Sequence, residues 1–266
     1  MPIVHASILG HYHTGIERER FTAHAGGRLE FARTKVVLEQ LLPNSARVLD
    51  IGGGPGTYAQ WLADRGLTVE LFDVIPLHVE QASATAAGQF TAELADARAI
   101  PRPNDYADVV LLLGPLYHLV ESDGRLDALA EAFRVLRPGG LLVAAGIGRL
   151  AWFLDVTRSN RIDEDAVRDS VRSTVATGLS SNNPSPDAFY AYFHRPQELR
   201  EEISNSGFLD VSVLAVEGLA YLLGDLDDRL DNPERRAPLF ELLHDLQEEP
   251  GSVEASPHLL AVARKP

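Results

Sequence analysis

The chain has 266 residues, enough for one large domain or for one domain with a lid. With 45% hydrophobic and 23% charged residues it has an ordinary globular composition, and with no cysteine it can hold no disulfide, thiolate metal site or cysteine nucleophile. Its formal charge of −14 disfavours nucleic acid and anionic membrane surfaces as partners, because both ask for a basic footprint.

Met1–Gly10 lacks a basic segment followed by a long apolar stretch, which favours the cytoplasm. No apolar run approaches the ~20 residues needed to span a bilayer. Residues 1–27 read as an N-terminal arm. Its His11, His13 and His24 resemble a metal cluster only superficially, and no metal is expected. Leu29–Leu42 carries apolar residues at helical spacing and stops before Pro43. Arg47–Ile51 reads as the first strand. Positions 48–56 run Val-Leu-Asp-Ile-Gly-Gly-Gly-Pro-Gly, so the apolar strand containing Asp50 breaks into Gly52, Gly53, Gly54 and Gly56. Thr57–Asp64 then suits a helix. A strand that turns sharply into a helix leaves backbone N–H groups free, and glycine lets a ligand approach them closely. The dinucleotide fingerprint is G-x-G-x-x-G, whereas these glycines alternate as G-x-G-x-G. No glycine stands at position 57, and the register from Gly53 would need glycines where Pro55 and Tyr58 stand.

Thr68–Asp73 is the second strand. It ends in Asp73, seventeen residues after Gly56, where an acid can accept from vicinal ribose hydroxyls. NAD enzymes place an acid here too, so Asp73 alone does not discriminate. Phe90–Leu94 is a weaker third strand, followed by Asp96-Ala97-Arg98. Asp108–Leu113 is a continuous apolar run suited to burial on both faces, and it leads into Gly114-Pro115-Leu116-Tyr117-His118. Asp123–Leu136 reads as a helix ending at Pro138-Gly139-Gly140, and Leu141–Ile147 as strand five. Pro196–Ser206 is a helix with proline in its first turn. Asp210–Glu217 is strand six and His258–Arg264 a last strand. The segments 148–195 and 218–257 exceed ordinary connection lengths. Both leave the sheet near the carboxyl edge of its strands, where ligands bind in such sheets, so they are expected to form lids together with the arm.

The glycine turn resembles motif I of the class I S-adenosylmethionine-dependent methyltransferases, and the later signals follow in that family's order. The run Gly114–Leu119 is similar to a bacterial small-molecule subset, loosely related to the ubiquinone/menaquinone-biosynthesis methyltransferases. The resemblance covers residues 28–147 and implies an α/β, Rossmann-like, doubly wound sheet of seven strands. That sheet would be mostly parallel with an antiparallel last strand, in a single domain spanning 1–266. It implies S-adenosyl-L-methionine as cofactor and S-adenosyl-L-homocysteine as product. The implied cofactor residues are Asp50, Gly52, Gly53, Gly54, Gly56, Asp73 and Val74, then Asp96, Ala97 and Arg98 near the adenine, and Leu113, Gly114 and His118 near the methyl. An arginine at the offset of Arg28, twenty positions before Val48, pairs with the cofactor carboxylate in related enzymes; Arg33 is the fallback and Tyr12 could close over the same end.

Methyl transfer from a sulfonium needs mainly alignment, and a base only where the acceptor carries a proton. The base candidates are His118, His194 and Tyr117. Tyr117, Trp152, Tyr192, His194 and Tyr221 are candidates for touching a small-molecule acceptor. Two other readings stand beside this one: a cofactor-binding pseudoenzyme or regulatory module, and an NAD(P)-dependent oxidoreductase. The sequence leaves the oligomeric state open, a homodimer included.

Overall fold

A computed structural model describes residues 16–180 and 190–266. Tyr12, His11 and His13 therefore lie outside the described residues. A 3-10 turn at Ile16–Glu19 leads into α1 (Arg20–Ala23) and α2 (Ala25–Leu41). Helix α2 starts earlier than the apolar spacing predicts and crosses the expected arm boundary at residue 27. Gly27 explains the tight junction, because a Cβ there would fall 2.2 Å from the Arg20 carbonyl oxygen.

Strands and helices then alternate: β1 (Arg47–Ile51), α3 (Thr57–Asp64), β2 (Thr68–Asp73), α4 (Pro76–Ala86), β3 (Thr91–Leu94) and β4 (Ala107–Leu112). Next come α5 (Pro115–His118), α6 (Ser122–Val135) and β5 (Leu136–Gly148). The first long segment holds α7 (Ala151–Arg158), α8 (Asp165–Thr177) and a two-residue strand β6 (Phe193–His194). After α9 (Pro196–Asn205) and β7 (Leu209–Ala215) the second long segment holds α10 (Leu226–Asp231), α11 (Pro233–Asp245) and α12 (Pro250–Glu254), and β8 (His258–Arg264) closes the fold.

The sheet order is β3-β2-β1-β4-β5-β8-β7, with β6 paired to β5 off this path. Strands β1 to β5 run parallel, and the central β1 and β4 are the near-continuous apolar runs that burial on both faces favours. β8 is antiparallel to both β5 and β7. The sheet thus has eight strands rather than seven, because the short β6 joins β5 in parallel. β3 starts at Thr91 rather than Phe90, whose ring is buried in the core. β5 starts at Leu136 rather than Leu141; the turn residues ride inside it across an irregularity between Ala107 and Val109 of β4. β7 ends at Ala215; beyond it Ser256 Oγ accepts from the backbone N–H groups of Val216, Glu217 and Gly218, the first of which also reaches His258 O.

Each sheet face buries its own apolar cluster, one around Leu38, Leu62 and Val143 and the other around Phe72, Leu112 and Leu129. A smaller cluster packs Leu226, Leu230 and Leu243 of the second insertion onto Ala25 and Leu29 of α2. Among the described residues, no helix is long and apolar enough to cross a membrane.

Candidate active-site cleft

A cleft of about 410 Å³ opens at the carboxyl ends of β1, β2 and β4. Its floor is the glycine turn. Gly52 and Gly54 adopt φ of +73° and +57°, backbone that suits glycine. A Cβ on Gly52 would also fall 2.6 Å from the Pro115 ring. Gly53 packs on Asp50: a Cβ there would meet its Oδ2 at 2.6 Å. Gly56 does not line the cleft. It starts α3 with φ +92° and closes the turn against Phe90 and Ala82.

Asp73 braces the turn. Its Oδ2 accepts from Gly54 N at 2.9 Å and its Oδ1 from Ile75 N at 2.8 Å, with His78 Nδ1 at 3.2 Å. A carboxylate has further lone pairs, so it can still accept from a ligand hydroxyl. Asp50 is fully buried, and among the described residues neither of its oxygens has a hydrogen-bond partner of good geometry. Burial first, and then repulsion from Asp73, push its carboxyl up to about 7, with the nearby Ala59 N–H offsetting part of the rise.

On the opposite wall Val74, Asp96, Ala97 and Arg98 line the cleft. Burial would raise the Asp96 carboxyl, but hydrogen bonds from Arg98 outweigh it and hold the group below the usual range. Arg98 Nε and Nη2 reach Asp96 at 2.9 and 2.8 Å. Leu113, Gly114, Tyr117 and His118 form the third wall. The Tyr117 hydroxyl donates to Leu113 O at 3.2 Å and accepts from Arg20 Nη1 at 3.4 Å. The His118 ring lies 4.6 Å from that of Tyr117.

The arginine at this end is Arg20, with Glu17 and Phe21 beside it. Arg20 bonds Glu30 at 2.6 Å and Glu17 at 3.2 Å. Arg28 is placed elsewhere: on the outer side of α2 it pairs with Asp227 at 3.0 Å and with Asp231 of α10. Arg33 is no substitute, since it is buried against Val216 O, Leu243 O and Gln247. The expectation of a cofactor clamp at Arg28 or Arg33 is therefore corrected, because both guanidinium groups are committed to holding the second insertion. Arg20 stands in a charged stretch, Glu17-Arg18-Glu19-Arg20, where nothing in the spacing separates a cleft residue from a solvated one.

The candidate residues of the insertions lie off the cleft as well. His194 is fully buried with Nε2 3.4 Å from Glu202, and burial lowers its basicity despite that acid. Tyr192 is sandwiched by Arg125, 3.9 Å from its ring centre, and its hydroxyl donates to Glu198 at 3.1 Å. Trp152 donates to Ser170 Oγ at 3.0 Å, and Tyr221 to Asp155 at 3.0 Å. Burial and Asp155 push the Tyr221 hydroxyl upward. These four side chains pin the insertions to the domain and to each other. Among the described residues of the two insertions, Tyr190 alone lines the cleft.

Residues 48–140 match the methyltransferase domain family. An uncharacterized methyltransferase of Mycobacterium tuberculosis is 37% identical over 138 residues, covering 50% of this chain and 55% of the relative. The S-adenosyl-L-methionine-dependent Diels-Alderase iccD of Talaromyces variabilis is 30% identical over 177 residues, 64% of this chain and 55% of that protein. The chain thus spans about half the length of these curated relatives. A SAM-dependent methyltransferase structure from Thermotoga maritima superposes with a TM-score of 0.59 at 15% identity, over 97% of this chain and 99% of the other. Residues 48–140 thus match a methyltransferase domain, and the chain shares the fold of S-adenosylmethionine-dependent methyltransferases, whose cofactor is S-adenosylmethionine.

Proposed function

We propose that the domain transfers a methyl group to a small-molecule acceptor by in-line displacement. The observation that carries this reading is the joint of glycine turn and Asp73: two left-handed glycines and a braced strand-end acid open onto a cleft of about 410 Å³. That volume falls in the ordinary range of small-molecule and cofactor sites. S-adenosylmethionine supplies an already activated methyl sulfonium.

The chain's residues then bind and orient. Asp73 accepts from the ribose hydroxyls, and Asp96 with the Ala97 backbone meets the adenine edge. Asp50, buried and short of partners, faces the cationic methionyl end. Arg20 takes the carboxylate, since its fork of N–H donors is not exhausted by Glu17, Glu30 and Tyr117. Leu113 and Gly114 bring main chain beside the sulfonium. Tyr117 and His118 flank the side where an acceptor would enter, and His118 is the candidate to take a proton from an acidic acceptor.

Titration calorimetry with S-adenosylmethionine, S-adenosylhomocysteine and NAD tests the reading. The two sulfur cofactors should bind and NAD should not; binding of NAD alone would sink it. A second reading is favoured by the similarity to a Diels-Alderase: the cofactor stays intact and the cleft promotes a cyclisation. Release of S-adenosylhomocysteine during turnover of an acceptor library supports methyl transfer. Product formation without that release supports cyclisation.

A further inference from the structure

We propose that His258 is a positioning residue for the cleft: backed by Glu217, it holds the Glu30 carboxylate where that carboxylate aims the Arg20 guanidinium at the methionyl end of the cofactor. The inference rests on the reading of Arg20 given above. Arg20 sits on a helix of only four residues and its side chain is long, so an unrestrained guanidinium would sample many rotamers. Glu30 restrains it at 2.6 Å from α2. Glu30 is itself buried, and its other oxygen faces His258 Nε2 at 3.7 Å. His258 Nδ1 meets Glu217 Oε1 at 2.6 Å. Glu217, also buried, accepts from the His258 backbone N–H at 3.1 Å, with Ser256 Oγ 3.3 Å away. A line of charged groups therefore runs from the cleft wall to the start of β8.

The alternation of sign gives the line its rigidity. From the cleft inward it reads guanidinium, carboxylate, imidazole, carboxylate. Without a cation between them, Glu30 and Glu217 would repel each other in a poorly solvated place. Burial works against a proton on His258, but Glu30 and Glu217 outweigh it and raise the basicity of the ring. The other charged and titratable groups around the cluster are Arg20 on α1, Tyr58 on α3 beyond Glu30, and Arg33 on α2 beyond Glu217. A cavity of about 20 Å³ lies among Arg20, Glu30, Thr34, Tyr58 and His258, room for one water at most. Donor atoms of Glu30, Glu217 and His258 lie within 4.8 Å of one another, the spacing of a metal-ligand set. Each carboxylate is already engaged by nearby N–H or O–H groups, so an ion-pair cluster accounts for the arrangement.

The sign of the pH effect follows. A ring whose folded pKa is raised supplies its bridge fully below the ordinary histidine value and loses it as pH rises through the raised one. The test compares two ligands, S-adenosylhomocysteine and 5′-methylthioadenosine, which lacks the amino-acid end. His258→Gln and Arg20→Gln should each weaken S-adenosylhomocysteine about tenfold or more, the worth of one charge-assisted hydrogen bond, and leave 5′-methylthioadenosine unchanged. Wild type should hold S-adenosylhomocysteine progressively less well, relative to His258→Gln, as pH rises through the titration of the ring. Equal losses for both ligands would mean a merely structural role and overturn the proposal, as would unchanged affinity for S-adenosylhomocysteine. Glu30→Gln, nearly the same shape, should show the same selective loss even if His258→Gln fails to fold. Wild type that binds neither ligand would overturn the cofactor reading itself, which separates that failure from a failure of positioning.

Discussion

At the scale of single residues, Asp50 makes the firmest prediction. Its carboxyl stands at about 7 because it is buried beside Asp73. A cationic ligand end favours the ionised form, so binding below that pH must expel a proton. The Asp50 contribution to S-adenosylmethionine affinity should therefore climb as pH rises toward 7 and level off above it. Calorimetry at pH 6 in two buffers of different ionisation heat should show roughly one proton released per cofactor bound. Asp50→Asn should abolish both effects. In the unliganded domain the same group works the other way. Between its unfolded value near 4 and about 7 the folded state holds a proton that the unfolded chain lacks, so stability falls as pH rises through that window. Arg28 supplies the contrast. Its partners Asp227 and Asp231 are more than 60% exposed, so Arg28→Ala should cost under about 1 kcal/mol in urea denaturation and leave cofactor affinity unchanged. The placement of the glycine turn, Asp50, Asp73, Asp96 and Gly114 along one cleft was legible in sequence because it is local: a turn, a strand end, a backbone approach. The placement of Arg20 rather than Arg28 on that cleft was not, because it depends on how α1 crosses α2 at Gly27.

At the scale of elements, the parallel core could be read from apolar runs between turn signals, and β6 could not. Phe193–His194 is only two residues long and owes its pairing with β5 to what surrounds it. The surroundings are an ion-pair network at the neck of the first insertion. Arg125, nearly buried at the start of α6, bonds Glu202 at 2.7 Å and donates to Leu119 O and Val120 O at 3.0 and 2.8 Å. Arg149 at the end of β5 reaches Glu198 at 2.6 Å and Phe193 O at 2.7 Å. The place of the insertion at the carboxyl edge of the sheet suggested a lid; within it Tyr192 serves as the plate between these two guanidinium groups. Because Leu119 and Val120 line the cleft, the network also fixes one of its walls. Arg125→Ala leaves Glu202 short of its main cation and two carbonyls without their donor. It should cost about 3 kcal/mol in urea denaturation, several times the cost of Arg28→Ala. An effect below about 1 kcal/mol would show that the neck is not held by this cluster.

At the scale of the whole molecule, charge decides which partners can approach. The chain carries −14, and the cleft adds Glu17, Asp50, Asp73, Asp96 and Glu121 against Arg20 and Arg98. Such a field draws a cation inward and repels a polyanion. S-adenosylmethionine carries one positive charge more than S-adenosylhomocysteine, at the sulfonium. Its association rate should therefore fall more steeply with added salt, most of the change coming below ~0.15 M, where the screening length is still ~8 Å or more. Stopped-flow fluorescence of Trp61 and Trp152 can follow both ligands across that range. A polyanionic acceptor would be repelled by this field unless a local basic groove held it. Phosphate contacts made by a basic groove lose affinity with salt in proportion to their number, so a true nucleic-acid enzyme retains its substrate best at low salt. Transfer RNA should show no retardation by this protein even at ~20 mM salt, a concentration at which weak phosphate contacts are strongest. Retardation that is relieved as salt rises would reveal a basic surface strong enough to outweigh the net charge. It would move the acceptor from small molecules to RNA while leaving the cofactor end, built on Gly52, Gly54 and Asp73, untouched.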